Sequence, residues 1–324
     1  MESKVRKIQL TGGSTYIVSL PSGWVSRNSL SKGSEVIVSE EGERVTVLPA
    51  GQKEDVVKRI SVSSGVTMSK LTRSLIAVYI SNFDTLIVTS EGHMPEAVRT
   101  TVKQFAKQVM GVEIFEESSS QMVLQNVLDS SSFPFPKATR RMSLNVESML
   151  QDVIRGIHER DTVLLRNVIP RDDDIDRYQW YIFRETFRGN DSVKDNTYFL
   201  LLSRILERIA DHSVNISRMV TEEDIDLETL SSVTLGTMER SVRTVSDAIN
   251  AFYSGQFDSL NDIIDRKSDI AREREQASAR IGKGTKLSFL SRVLEEMTRI
   301  GYYGTDIAEL AMDRYVSSKE EIEI

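Results

Sequence analysis

The chain has 324 residues, 40% of them hydrophobic, a formal net charge of −7 and no cysteine. That length suits two or three domains with sizeable cores, and the missing cysteine excludes disulfides, thiolate zinc sites and cysteine nucleophiles, as suits a cytoplasmic protein. No run approaches the ~20 apolar residues of a membrane span, the opening MESKVRKIQL has no apolar signal core, and the scattered His93, His158 and His212 leave oxygen as the donor for any metal.

The first segment, residues 1–50, reads as short strands. Arg6–Leu10 alternates polar and apolar, Thr11-Gly-Gly-Ser14 makes a turn, and Thr15–Leu20 returns. A short helix is expected around Trp24–Leu30, followed by strands at Glu35–Ser39 and Arg44–Leu48 with a hairpin signal at Glu41-Gly42. Fifty residues of hairpins cannot cover their own edges and apolar faces, and dimerisation would solve that. From Met1 to Ser34 one acid, Glu2, faces five bases, Lys4, Arg6, Lys7, Arg27 and Lys32. A cationic patch at one end of an acidic chain points to a nucleic-acid contact; Lys4, Arg6, Lys7 and Arg27 are the candidate DNA-binding residues, against the plainer reading of solubilising charge.

A polar linker, Ala50–Asp55, leads to a second segment, residues 55–129, that alternates strand and helix. Strands are expected near Ile60, at Thr85–Thr89, Val112–Phe115 and Met122–Val127, with helices at Ser69–Ser81 and from Pro95 to Met110. No glycine-rich phosphate loop accompanies this small α/β domain, and its chemistry is unassigned. The prolines of Ser130–Pro136 close it.

From residue 137 to 324 the periodicity is helical. Six helices are expected, at Lys137–Arg160, Asp161–Arg188, Val193–Val220, Asp226–Ser254, Gln256–Ile281 and Lys286–Tyr315, joined by short loops into antiparallel bundles. They read as two copies of three. Ser203–Ile216 aligns with Leu294–Ile307, and Arg171–Arg177 with Arg266–Arg272, so an internal duplication is the economical explanation.

Glu207, Asp211 and Asn215 follow one another at four-residue spacing and share a helical face. Like charges so placed disfavour the helix, so a cation should sit there. Arg204 and Arg208 supply it in the bland reading; a hard or borderline metal ion supplies it in the sharp one. Asp172, Asp173, Asp174 and Asp176 crowd the start of the preceding helix after Pro170. Acids in a first turn complement the helix dipole, yet four exceed what a helix end needs, and Asp172 and Asp176 face one way.

The stretch Leu206-Glu-Arg-Ile-Ala-Asp-His-Ser-Val-Asn-Ile-Ser217, with the acidic cluster before it, resembles the signature of PhoU proteins. The resemblance spans about Lys137–Tyr315 and implies tandem three-helix bundles, carboxylate binding of iron, zinc, manganese or magnesium, and restraint of phosphate uptake through a phosphate-transporter ATPase or a sensor kinase. By position it makes Glu207, Asp211 and Asn215 ligands, supported by Asp172 and Asp176. The second repeat departs from it, with Thr298, Tyr302 and Asp306 at the ligand positions and Ala271 for the last aspartate, which argues against a second site. The first segment is similar to the AbrB/SpoVT swapped-hairpin module in Arg6-Lys-Ile, Ser19-Leu-Pro21, Trp24 and Lys32-Gly-Ser-Glu-Val36. That likeness implies two interleaved chains presenting basic residues to DNA.

The expectation is therefore a multidomain protein: a swapped-hairpin β module, a small α/β domain and an all-α six-helix pair of bundles, acting as a homodimeric, non-enzymatic regulator of phosphate-responsive transcription. An enzyme is the weaker reading. Asp172-Asp173-x-x-Asp176 fits the magnesium motif of prenyl-diphosphate synthases, but a second aspartate-rich motif is missing, and no Glu-x-x-His pair supports a di-iron oxidase. A third reading is an adaptor that only dimerises and docks on a transporter subunit.

Overall fold

The computed structural model describes residues 5–41, 44–50, 55–128, 133–188, 193–222, 227–281 and 285–319. The chain forms two compact units, residues 1–55 and 56–324. No described helix is long and apolar enough to cross a membrane.

The first unit holds two antiparallel hairpins. β1 (Gln9–Thr11) pairs with β2 (Thr15–Ile17) across Gly12 and Gly13, whose positive φ values of 64° and 86° only glycine adopts without strain. The strand expected at Arg6–Leu10 is therefore shorter, because among the described residues nothing in the same chain pairs with Val5–Ile8. α1 (Ser22–Arg27) starts after Pro21 and stops where the Asn28 side chain donates to Trp24 O at 2.8 Å, earlier than Leu30. β3 (Val36–Glu41) pairs with β4 (Arg44–Pro49); Gly42 of the hairpin signal lies outside the described residues. No described residue of this unit is buried. Ile37 and Val38, neighbours on opposite faces of β3, are 53% and 62% exposed.

The second unit begins with a four-stranded sheet. β5 (Val57–Val62), α2 (Met68–Ile80), β6 (Thr85–Ser90), α3 (Glu96–Gln108), β7 (Val112–Glu117) and β8 (Gln121–Asn126) follow in sequence, and the strand order is β5-β6-β8-β7. β5 and β6 run parallel because α2 crosses between them; the other pairs are antiparallel. Leu75 and Tyr79 of α2, Val102 and Phe105 of α3, and Leu86, Val88 and Leu124 of the sheet make the core.

The helical part comprises α4 (Phe135–His158), α5 (Thr162–Val168), a 3-10 turn at Ile169–Arg171, α6 (Asp172–Arg188), α7 (Val193–Glu222), α8 (Leu227–Ser254), α9 (Leu260–Arg280) and α10 (Thr285–Ser317). The single helix expected over Asp161–Arg188 is thus two. Pro170 lacks an N–H and crowds the preceding turn, while Asp161 caps α5 by accepting from Val163 and Leu164 N–H, both at 3.0 Å. The break gives the acidic run a helix N-terminus of its own. α4, α7, α10 and α8 pack in a closed quartet, with α6 against α4 and α7 and α9 against α8 and α10. One continuous core, including Val146, Leu206, Met238 and Ile300, joins both halves. The duplication is visible in an ion pair: Arg171 holds Asp152 at 2.8 Å, and Arg266 holds Asp247 at 2.6 Å, each across 19 positions.

The second half closes by near contact of backbones. A Cβ at Gly304 of α10 would lie 2.9 Å from Val245 N of α8. Gly304→Ala is expected to lower stability by about 1 kcal/mol net in urea titrations, since overpacking of roughly 1–3 kcal/mol outweighs the roughly 1 kcal/mol helix preference of alanine. An unchanged or higher midpoint would show that the helices part freely.

The sheet domain also docks on α6. Trp180 packs against its core, and Arg184, 1% exposed, sits 5.0 Å over the Tyr79 ring with Nε 3.4 Å from Asn82 Oδ1 and 3.6 Å from Glu185. Burial pushes the Tyr79 hydroxyl up to about 12, against the opposing pull of Arg184.

A candidate carboxylate site on the first helical half

α6 and α7 bring four of the five expected ligands together. Asp172 and Asp176 stand one turn apart on α6, Glu207 and Asp211 one turn apart on α7, and all four are half-buried. Each pair would be tolerable in water; partial burial beside one another makes them costly as anions. Burial, followed by the charges of Asp172, Glu207 and Asp211, pushes Asp176 up to about 7. Asp172 is raised by burial and by Asp211, with Arg218 opposing. Asp211 is raised by burial and by Glu207, with His212, Arg208 and Arg204 opposing.

The arginines do not neutralise this surface. Arg204 donates to Gln179 Oε1 at 3.2 Å, and Arg208 Nε reaches Glu207 only at 3.9 Å. Glu207 Oε2 is buried and accepts no hydrogen bond. Asp173 and Asp174 are exposed; the charge of Asp173 adds to the upward push on Asp172 and Asp176, and Asp174 lies 3.7 Å from Arg177.

The sequence profile of the PhoU domain matches residues 139–220, the stretch that carries α4 to α7 and all four carboxylates. This part of the chain is PhoU-like, hereafter its PhoU domain. Two curated relatives, phosphate-specific transport system accessory protein PhoU homologues from two strains of Caulobacter vibrioides, are 31% identical over 88 residues. That alignment covers 26% of this chain and 38% of either relative, so the chain spans well under half of their length. The crystal structure of PhoU from Pseudomonas aeruginosa superposes with a TM-score of 0.51 at 17% identity, over 59% of this chain and 100% of that one, and so shares the fold. The N-terminal module is MazE/AbrB-like: residues 9–55 match the profile for antidote-toxin recognition MazE, bacterial antitoxin.

Within the PhoU domain Asn215 departs from the expected ligand set. Its Nδ2 donates to Glu296 Oε2 of α10 at 3.4 Å, so it turns toward the second half rather than to the carboxylates. His212 bonds the same oxygen through Nδ1 and packs 5.6 Å from the Tyr303 ring. Burial works to raise Glu296, but the hydrogen bond and charge of His212 and the Asn215 amide outweigh it and leave the carboxyl below its ordinary range. Sequence reading missed this seam. Its only signal was the histidine beside Asp211, which had no visible partner until α10 folded against α7.

Among the described residues no three acidic or histidine side chains are already gathered tightly enough to hold a metal. The donor set is nevertheless all oxygen, and the buried Glu207 Oε2 has no hydrogen bond among the described residues, which suits a hard cation. The second half has rebuilt the equivalent surface. Lys267, at the position of Asp172, lies 5.7 Å over the ring of Tyr302, at the position of Asp211. Thr298 is buried and donates to Leu294 O at 2.7 Å, and Asp269 is bound by Arg272 and lies 3.8 Å from Arg240. Asp306 is raised by burial, with Lys267 opposing. Opposite charge and an aromatic face thus replace the mutual repulsion.

Of the DNA candidates, Arg6, Lys7 and Arg27 are exposed and make no ion pair among the described residues. Lys4 lies outside the described residues.

Proposed function

We propose that the protein is a non-enzymatic regulator of phosphate-responsive genes that grips DNA as a dimer through the N-terminal module and responds to a cation held by its PhoU domain. Glu207, Asp211, Asp172 and Asp176 would hold the ion, whether iron, zinc, manganese or magnesium, which would supply the positive charge that Arg204 and Arg208 do not. The observation that supports this most is the convergence of four half-buried carboxylates with one unbonded oxygen. For the DNA half, the support is a module with no buried residue among those described, which a second copy would give a core, and exposed bases that could meet phosphates. The phosphate link rests on the names of the Caulobacter relatives.

A mobility-shift titration with fragments of the protein's own upstream DNA tests the reading. Binding should weaken steeply between 50 and 200 mM salt as counterions are released. Absence of salt-sensitive binding would favour an adaptor that dimerises and docks on a phosphate-transporter subunit.

A further inference from the structure

A pocket of about 330 Å³ opens where the sheet domain, α4 and α6 meet, on the face of α6 opposite Asp172 and Asp176. Two arginines enter it without firm partners. Arg141 of α4 is exposed, makes no ion pair among the described residues, and rests 5.1 Å over the Phe133 ring. Among the described residues, Arg177 of α6 has a buried Nε with no hydrogen bond, and Asp174, at 3.7 Å, alone balances its charge. Tyr178 and Met110 add an aromatic face and a thioether, and the Asn145 side chain lines the pocket with no hydrogen bond to the protein among the described residues.

We propose that this pocket binds a nucleoside monophosphate. Guanidinium forks match phosphate oxygens two at a time, so Arg141 and Arg177 would take the phosphate. Aromatic and sulfur surfaces accept a flat base edge or face, which assigns the ring to Tyr178 and Met110. Asp174 is 61% exposed and loosely paired, and an acid beside a phosphate site is the group that accepts ribose hydroxyls. The volume lies at the low end for small-molecule sites, enough for one nucleotide and too little for two. The walls come from three places: Met110 in the turn after α3, Arg141 and Asn145 on α4, and Asp174, Arg177 and Tyr178 on α6. A ligand here would therefore tie the sheet domain to the PhoU domain without touching the carboxylates.

Isothermal titration of the full chain with AMP, GMP, adenosine and inorganic phosphate tests this. The expected result is saturable binding of at least one monophosphate, with adenosine and phosphate each weaker, and a loss of about 30-fold or more in the Arg141→Gln/Arg177→Gln variant, from the missing charge-assisted bonds. Should that variant melt lower than the wild type, Arg141→Gln alone decides, because its side chain lies at the surface. Failure of both monophosphates to bind overturns the proposal. So does equal affinity in the variant, or phosphate binding as tightly as the nucleotide.

Discussion

At pH 8, without divalent cations, Asp176→Asn is expected to stabilise the helical half by about 2 kcal/mol. The folded chain raises this carboxyl to about 7 through burial and the charges of Asp172, Glu207 and Asp211, whereas the unfolded chain leaves it near 3.9. Between those values the folded state holds the extra proton, so wild-type stability falls as pH rises from about 4 to 7 and stays low above it. The full shift corresponds to roughly 4 kcal/mol, and solvent on the half-exposed carboxyl reduces this to about 2 kcal/mol. Asparagine cannot ionise, so the variant escapes the loss above pH 7 and matches the wild type below pH 4. Magnesium or manganese should reverse the ranking. A cation at a hundred times its dissociation constant adds about 2.7 kcal/mol to whichever chain binds it, and the variant lacks one of four anionic ligands. Thermal melts across pH 4 to 8, with and without the ion, measure both effects. Destabilisation by Asp176→Asn at pH 8, or equal response of the two chains to cation, would sink the carboxylate reading.

That four acids converge here was half legible beforehand. Four-residue spacing places Asp172 with Asp176, and Glu207 with Asp211, on shared faces, because the helix repeats every 3.6 residues. Spacing says nothing about which helix covers a face. Asn215 has the same spacing from Asp211 that Asp211 has from Glu207, yet α10 captures it through Glu296, 81 positions away. The Arg184–Tyr79 contact is equally long-range, and with it the docking of the sheet domain on α6. Pro170 falls inside the single helix expected over Asp161–Arg188, although proline disfavours a helix interior; the 3-10 turn at Ile169–Arg171 is where the two helices meet. In contrast, the departures of the second repeat were plain from residue types, and the folded chain supplies their reason. Lysine and tyrosine at 267 and 302 pair with each other, so that half needs no added charge.

Two variants separate the two requirements that the proposed DNA-binding dimer would combine. Ile37 and Val38 point to opposite faces of one strand, and both are more than half exposed. A partner laid against one face would leave the other wet; in the proposed dimer a second copy wraps both, as interleaved hairpins do. Val38→Asp would place a carboxylate in that shared core twice, once per chain. Each copy forfeits roughly 1.5–3 kcal/mol of valine burial and adds the cost of an unpaired charge. The dimer should weaken by at least about 1,000-fold, and DNA binding should fail with it, while the melting of the helical unit is unchanged. Arg6→Glu with Lys7→Glu should do the reverse. Both side chains are exposed, so the dimer survives, but four phosphate contacts per dimer are lost. The salt dependence of binding would flatten by a slope of about 3 to 4, and affinity near 0.1 M salt would drop by about 100-fold or more. Light scattering and mobility shifts on the two variants distinguish the outcomes. A Val38→Asp chain that remains dimeric would mean that this surface is covered by something other than a second copy.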